Sequence, residues 1–312
     1  MRASGGRRLT WAEVDPGVRA ALEAALGAGV VDSADEPGGF SPGLAARCRL
    51  ADGRRVFLKA VSPAQNPTAC RIHRREAEVA AQLTPDVPAP RLLHVHDDGR
   101  WVALAFEEVD GRQPAEPWRL DELDAVVPFL QRTAERLTPS PAPDLPSVQE
   151  RYGAVFDGWR RIAAGDGDVS SYGSEVAALV DRLAALEAGW EPAAAGTTLL
   201  HTDLRADNLL LTPGGDVVVV DWPWACNGAA FVDLVLLLPS VGLGGGPTCA
   251  EVVARYGLFG DVDDDALGAV VAALAGFFVR QSLDPTPPGL PTVRAFQRAQ
   301  AEVALVWARR WV

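Results

Sequence analysis

The chain has 312 residues, 48% apolar and 22% charged, with a formal net charge of −12 at neutral pH. That length suffices for two lobes and a large core, and the composition is that of a soluble globular protein. The acidic balance argues against nucleic acid as the main partner, because phosphate backbones are bound by Lys and Arg.

Four scattered cysteines, Cys48, Cys70, Cys226 and Cys249, form no C-x-x-C pair. Reduced thiols in a cytoplasmic protein are expected. The amino terminus lacks the apolar core of a signal peptide. The longest nearly uninterrupted apolar run, residues 266–279, is short for a membrane span and suits a buried helix, so no membrane partner is expected. Charge is uneven: residues 1–111 hold 15 acids and 14 bases, residues 112–312 hold 26 acids and 15 bases. If the second part binds an acceptor molecule, its field favours a cationic one, unless the acids serve only solubility.

In chain order, Thr10-Trp-Ala-Glu13 has the form of a capping box, and Asp15-Pro16 places an N-cap before a helix-starting proline. Val18, Leu22, Ala25 and Leu26 make an apolar stripe that ends at Gly27, which predicts a packing helix. Next comes a glycine-rich turn, Gly38-Gly39-Phe40-Ser41-Pro42-Gly43, before a strand from about Leu44 to Leu50. Glycines there would let backbone N–H groups approach a phosphate. Asp52-Gly53 turns the chain into a second strand, Arg54–Val61.

That strand carries Lys59, the single lysine among 29 basic residues. A chain otherwise committed to arginine is expected to keep a lysine where a compact ammonium is needed. Residues 66–84 predict a helix with Ile72, Glu76, Val79 and Leu83 on one face. Glu76 is thus an acid on an apolar stripe, costly unless paired, and Lys59 is the expected partner. Arg74 and Arg75 point off that stripe. A second hairpin, Arg91–His96 and Trp101–Val109, holds His94 and His96 as ordinary strand residues.

Residues 112–198 are proline-punctuated and helical, with Ser174 expected to cap a helix bearing Val176, Leu179, Leu183 and Leu186. Then comes His201-Thr-Asp203-Leu-Arg205-Ala-Asp-Asn208, followed by two apolar runs around Pro213-Gly214-Gly215 and by Asp221. The runs predict a short hairpin whose Val217–Val220 strand is buried on both faces. The hairpin brings Asp203, Asn208 and Asp221 to one end, a hard-oxygen set suited to Mg²⁺ with bound phosphate. A zinc-hydrolase reading of His201 and Asp203 is weaker, since no other histidine has zinc-site spacing. Asp233 opens an apolar helix as its expected N-cap. The glycine run 242–246 follows a helix and predicts a loop. The remaining segments are helical, the last carrying Phe296, Val303, Val306 and Trp307.

His-x-Asp-x-x-x-x-Asn with a second Asp beyond a strand pair, together with Lys59 and Glu76, resembles the aminoglycoside phosphotransferase family, relatives of choline kinase and protein kinases. The resemblance runs from about Gly38 to Asp233. It implies an α+β, bilobal, protein-kinase-like fold: an N-terminal lobe (1–106) with an antiparallel sheet and one key helix, a hinge (107–111), and a larger, mainly helical lobe (112–312). It implies Asp203 as catalytic base, Asn208 and Asp221 as Mg²⁺ ligands, and Lys59, braced by Glu76, on the donor's phosphates. The glycine turn (Gly38, Gly39, Phe40, Ser41, Gly43) would cover the nucleotide, and the hinge backbone of Phe106, Glu107, Glu108 and Val109 would meet an adenine edge. Asp233 would brace the catalytic loop.

Arg205 stands where protein kinases keep a lysine. It either neutralises the transferred phosphoryl group or forms an ion pair with Asp207 or another acid. Only eleven residues lie between Asp221 and Asp233, which leaves no room for a protein-kinase activation segment. The expected activity is therefore ATP- or GTP- and Mg²⁺-dependent O-phosphorylation of a small hydroxylated antibiotic or metabolite. The rivals are a nucleotide-binding pseudo-enzyme and, disfavoured, a protein kinase.

Overall fold

Alternation along residues 55–61 organises the N-terminal part: Val56, Leu58 and Ala60 face one side of a sheet, Phe57 and Lys59 the other. The structure is a computed structural model that describes residues 8–36, 42–287 and 290–312. Its first elements are β1 (Arg8–Leu9), α1 (Pro16–Leu26), β2 (Val30–Asp35), β3 (Gly43–Leu50), β4 (Arg55–Val61), α2 (Pro67–Ala80), β5 (Leu92–Asp97) and β6 (Val102–Glu107). The strands form a six-stranded sheet in the order β1-β3-β4-β6-β5, with β2 also on β3. All pairings are antiparallel except β1 with β3.

The back face packs Leu44, Leu50, Leu58 and Ala105 against Val18, Leu22 and Leu26 of α1. The front face packs Val61, Leu104 and Phe106 against Ala69 and Cys70 of α2. The capping-box contact at Thr10 is real, with Glu13 accepting from the Thr10 N–H at 2.9 Å. It caps a separate turn, Trp11–Glu13, while Asp15 caps α1 through the Gly17 N–H at 2.8 Å. The sequence reading missed β1 and β2: one has two residues, the other is polar and mostly exposed without alternation.

The remainder is mainly helical: α3 (Leu120–Arg136), α4 (Val148–Tyr152), α5 (Gly158–Ala163), α6 (Ser174–Glu187), α7 (Trp190–Ala193), the strands β7 (Thr198–Leu200), β8 (Leu209–Leu211), β9 (Val217–Val219) and β10 (Cys226–Gly228), then α8 (Val232–Gly242), α9 (Cys249–Tyr256), α10 (Asp264–Ser282) and α11 (Val293–Ala308). α10 is the core helix, buried against α5, α6, α7 and α11. By length and composition alone it is apolar enough to cross a membrane, and 61% of its apolar window is buried inside the protein. α5 crosses it so closely that a Cβ on Gly158 would lie 2.1 Å from the Gly276 carbonyl oxygen. There Glu187, fully buried, accepts from the N–H groups of Trp159 and Arg160 at 2.9 and 3.0 Å. Burial pushes its carboxyl up to about 7.

Two caps differ from expectation. Ser174 is the first residue of α6, behind Gly173, and makes no cap bond. Asp233 lies inside α8, not at its N-cap, because its carboxylate is used elsewhere. Val218 is half-buried and Val306 is 68% exposed, so neither is a full core position. All four cysteines are buried and unpaired.

Candidate active site

β7 runs into the His201–Asn208 loop, β8 and β9 pair as a short hairpin, and β10 returns along β7. The hairpin register (Leu209 opposite Val219) sets Asn208 beside Val220, whose N–H donates to the Asn208 carbonyl at 3.0 Å. Asp221 follows at once. The loop and the strand end are therefore joined before any side chain acts.

His201 strengthens that joint. The Asp203 N–H donates to its Nδ1 at 3.2 Å, so Nδ1 is unprotonated and the Nε2–H donates to the Val220 carbonyl at 2.9 Å. Burial holds this imidazole below its ordinary value, so it is a neutral strut. Asp233 completes the loop: its two carboxylate oxygens accept from the N–H groups of His201 (2.8 Å) and Thr202 (2.7 Å). Thr202 and Asp221 both have φ of +63°. Such backbone costs roughly 1–3 kcal/mol for a non-glycine residue and persists only when neighbours hold it. The holders of Thr202 are Asp233, the Trp224 carbonyl (2.9 Å) and the Tyr152 hydroxyl, which donates to Oγ1 at 2.7 Å.

This arrangement predicts that Asp233→Ala lowers stability by about 3 kcal/mol, since two buried N–H groups lose a charged acceptor. Urea denaturation would measure it. An unchanged midpoint would mean that Tyr152 and Trp224 hold the loop alone.

Two charge clusters face one cleft of about 580 Å³ between the sheet and the helical part. In the first, the Lys59 ammonium donates to Glu76 at 2.6 Å and to Asp221. Burial alone would lower the Lys59 pKa, but Asp221 and Glu76 together hold it well above the ordinary value. Burial raises Glu76. In Asp221 burial is outweighed by the lysine, and the carboxyl is held low. Asp221 keeps 43% of its side-chain surface exposed, so it is a half-open carboxylate with one oxygen on the lysine. Arg74 pairs with Asp97 and Arg75 lies over the Trp224 ring, so neither competes for Glu76.

In the second cluster, Asp203 accepts from Arg205 at 2.5 Å and from the Asn208 amide at 3.2 Å. Burial pushes the Asp203 carboxyl up to about 6 against the pull of Arg205. Of the two sequence readings of Arg205, the ion pair is present: its guanidinium also bridges to Asp207 at 2.9 and 3.1 Å. The Asn208 amide nitrogen is further anchored on the Asp203 carbonyl at 2.7 Å.

Phe106, Glu107, Glu108 and Val109 line the same cleft. Glu108, whose side chain is nearly buried, pairs with Arg47 and Arg55, a brace the sequence did not reveal. Gly38, Gly39, Phe40 and Ser41 lie outside the described residues. Gly43 is described and is not a lining residue. Its φ of +110° and a Cβ position 2.4 Å from the Ala60 carbonyl oxygen give it a packing reason to be glycine. The sequence reading also missed Arg151, Tyr152, Trp224, Phe277, Phe296 and Gln300, all of which line the cleft. They come from four separate stretches, three helices and the turn at Trp224, and only tertiary packing brings them together.

A lysine on the six-stranded sheet paired with a glutamate on α2, opposite an Asp-bearing loop and a strand-end Asp, defines a kinase-like phosphotransferase fold. The chain belongs to the phosphotransferase enzyme family (APH), whose family model matches residues 43–269, and is an enzyme of that small-molecule kinase class. No curated protein matches it. Among solved structures it is similar to a thermostable mutant of aminoglycoside phosphotransferase APH(4)-Ia in ternary complex with ADP and hygromycin B. The TM-score is 0.59 at 18% identity, covering 94% of this chain and 98% of that one. It is also similar to choline kinase LicA from Streptococcus pneumoniae (TM-score 0.59, 12% identity, 94% and 98% covered). LicA in complex with AMP gives a TM-score of 0.57 at 11% identity, with 96% and 99% covered. At these identities the likeness is one of fold.

Proposed function

We propose that this enzyme transfers the γ-phosphoryl group of ATP, or GTP, to a hydroxyl of a small molecule, an antibiotic or a metabolite. The observation that carries the reading is the pair of clusters, Lys59–Glu76–Asp221 and Asp203–Arg205–Asn208, facing each other across one cleft. The ADP, AMP and hygromycin B in the related structures support a nucleotide donor and a small-molecule acceptor.

Residues 1–106 and 112–312 act as lobes around a hinge at 107–111. At the hinge, the Glu107 N–H is taken by the Arg91 carbonyl (3.0 Å) and the Val109 carbonyl by Arg47 (3.1 Å). The Val109 N–H has no partner among the described residues and is the donor offered to a purine edge. Lys59, oriented by Glu76, holds donor phosphates. Asp203 takes the proton of the acceptor hydroxyl as its oxygen bonds to the γ-phosphorus and the bond to the β,γ-bridging oxygen breaks. A carboxyl near 6 is better matched to that role than an ordinary one. Arg205 and Asn208 aim the carboxylate. Arg205, kept from the phosphates by two aspartates, is a positioning residue.

The donor set suits Mg²⁺. The Asn208 amide nitrogen is committed to Asp203, which leaves its Oδ1, and Asp221 has a carboxylate oxygen beyond the one on Lys59. Two hard oxygens plus phosphate oxygens are the usual Mg²⁺ shell. No cluster of three His, Cys, Asp or Glu side chains competes among the described residues. Bound there, Mg²⁺ would neutralise phosphate charge.

Asp221→Ala should weaken Mg²⁺-nucleotide binding at the upper end of the about 10–100-fold that losing even a supporting group costs. Nucleotide titrations with and without Mg²⁺ test it. A variant that keeps the wild-type Mg²⁺ dependence removes Asp221 from the ligand set. Product formation in an acceptor screen separates this reading from a pseudo-enzyme.

A further inference from the structure

Resting on that phosphotransferase reading, we propose that the acceptor is a largely apolar alcohol without positive charge, anchored by Gln300. Three carboxylates from residues 112–312 line the cleft, and each already has a basic partner: Asp203 and Asp207 share Arg205, and Asp221 holds Lys59 through one oxygen. A polycationic acceptor would have to share these carboxylates with Lys59 or Arg205, and would compete there with the bound nucleotide and its Mg²⁺. Arg151, which also lines the cleft, has no carboxylate partner among the described residues and donates to the Ala225 carbonyl. It adds positive charge to the cleft wall. The acidic excess of this half lies elsewhere, as in the exposed run Asp263–Asp265.

Part of the cleft wall is aromatic. Phe156 and Phe277 have ring centroids 5.8 Å apart, Phe277 and Phe278 5.1 Å apart, and Leu274 and Val293 extend the surface. Phe296 brings that surface to the catalytic loop, its ring 5.7 Å beneath the Arg205 guanidinium.

One turn further along α11, Gln300 lines the cleft at 2% exposure with its Oε1 unpartnered. Buried amides are normally satisfied, and an unmade bond in an apolar wall is costly. Its neighbour Gln297 is already engaged by Arg294 at 2.8 Å. Gln300 is thus the group left to accept from a hydroxyl or N–H of a ligand that otherwise stacks on phenylalanines. This is the pattern of a small-molecule site: apolar walls with a few placed polar groups.

The test measures phosphate transfer from Mg²⁺-ATP to amine-free aromatic and macrolactone alcohols and, in parallel, to kanamycin and choline. Calorimetric binding of each probe and of the nucleotide is read separately. Expected are a kcat/KM at least about tenfold higher for the amine-free alcohols and tighter binding of the same probes. Gln300→Leu should raise their KM about tenfold, with the nucleotide KM unchanged and the melting temperature equal or higher. A preference for kanamycin or choline overturns this inference and leaves phosphotransfer standing. A lower melting temperature with unchanged KM makes Gln300 a fold residue and overturns its role as anchor. Binding of the alcohols with no phosphate transfer to any probe overturns the phosphotransferase reading instead.

Discussion

Asp203→Asn is expected to reduce turnover by about a thousandfold or more, within the 10²–10⁴ that a positioned base contributes, while nucleotide affinity stays near wild type. The amide keeps the size and one acceptor oxygen for Arg205, so the loop stays folded, but it cannot take a proton. The pH profile gives an independent readout. Burial sets the Asp203 carboxyl at about 6, so in the wild type kcat should fall tenfold per unit as pH drops below that value. The residual rate of the variant should be flat across the same range. The sign for stability is opposite to that of an ordinary paired carboxylate: an acid with a raised folded pKa binds its proton more tightly when folded. Its burial cost is therefore relieved as pH falls from about 6 towards the unfolded value. Near-normal turnover of Asp203→Asn would remove it from the chemistry.

Lys59→Arg should cost on the order of 100-fold in rate although it keeps the charge. The ammonium sits in a buried gap between Glu76 at 2.6 Å and Asp221. A guanidinium is wider and forks its donors in a plane, so it must displace one acid or the donor's phosphates. A misplacement of about 1 Å is enough for that loss. Stability should change less, since the stem still packs between the Ala45 and Leu104 positions of the flanking strands. The control has to be chosen from the structure. Arg55 on the same strand holds Glu108 at the hinge, so Arg55→Lys is not neutral. Arg49 is exposed and only 3.9 Å from Asp32, and Arg49→Lys is expected to behave as wild type. If Lys59→Arg matches that control in kinetics, the phosphate site is not built on Lys59.

Much of this protein was determined by local sequence. The period-two alternation around Lys59 and the period-3.6 stripe holding Glu76 fix which face each residue takes, and the short reach between β4 and α2 leaves few partners for a buried acid. The Pro-Gly-Gly turn between two apolar runs likewise sets the hairpin that carries Asp221, because turn chemistry and strand register are encoded within a dozen residues. What only the tertiary structure decided is pairing at long range. Lys59 meets Asp221 across 162 positions, and Glu108 meets Arg47 across 61. Nothing in either segment alone names the other. The positive φ of Thr202 is held by Tyr152 and Asp233 from distant helices, so no local propensity announces it. The acceptor wall is the plainest case. Phe277 and Phe278 stand in the same apolar run as the core residues of α10, and periodicity tells a buried face from a polar one. It cannot tell an apolar face covered by protein from one left open to a ligand, because that difference lies in what the neighbouring helices leave uncovered.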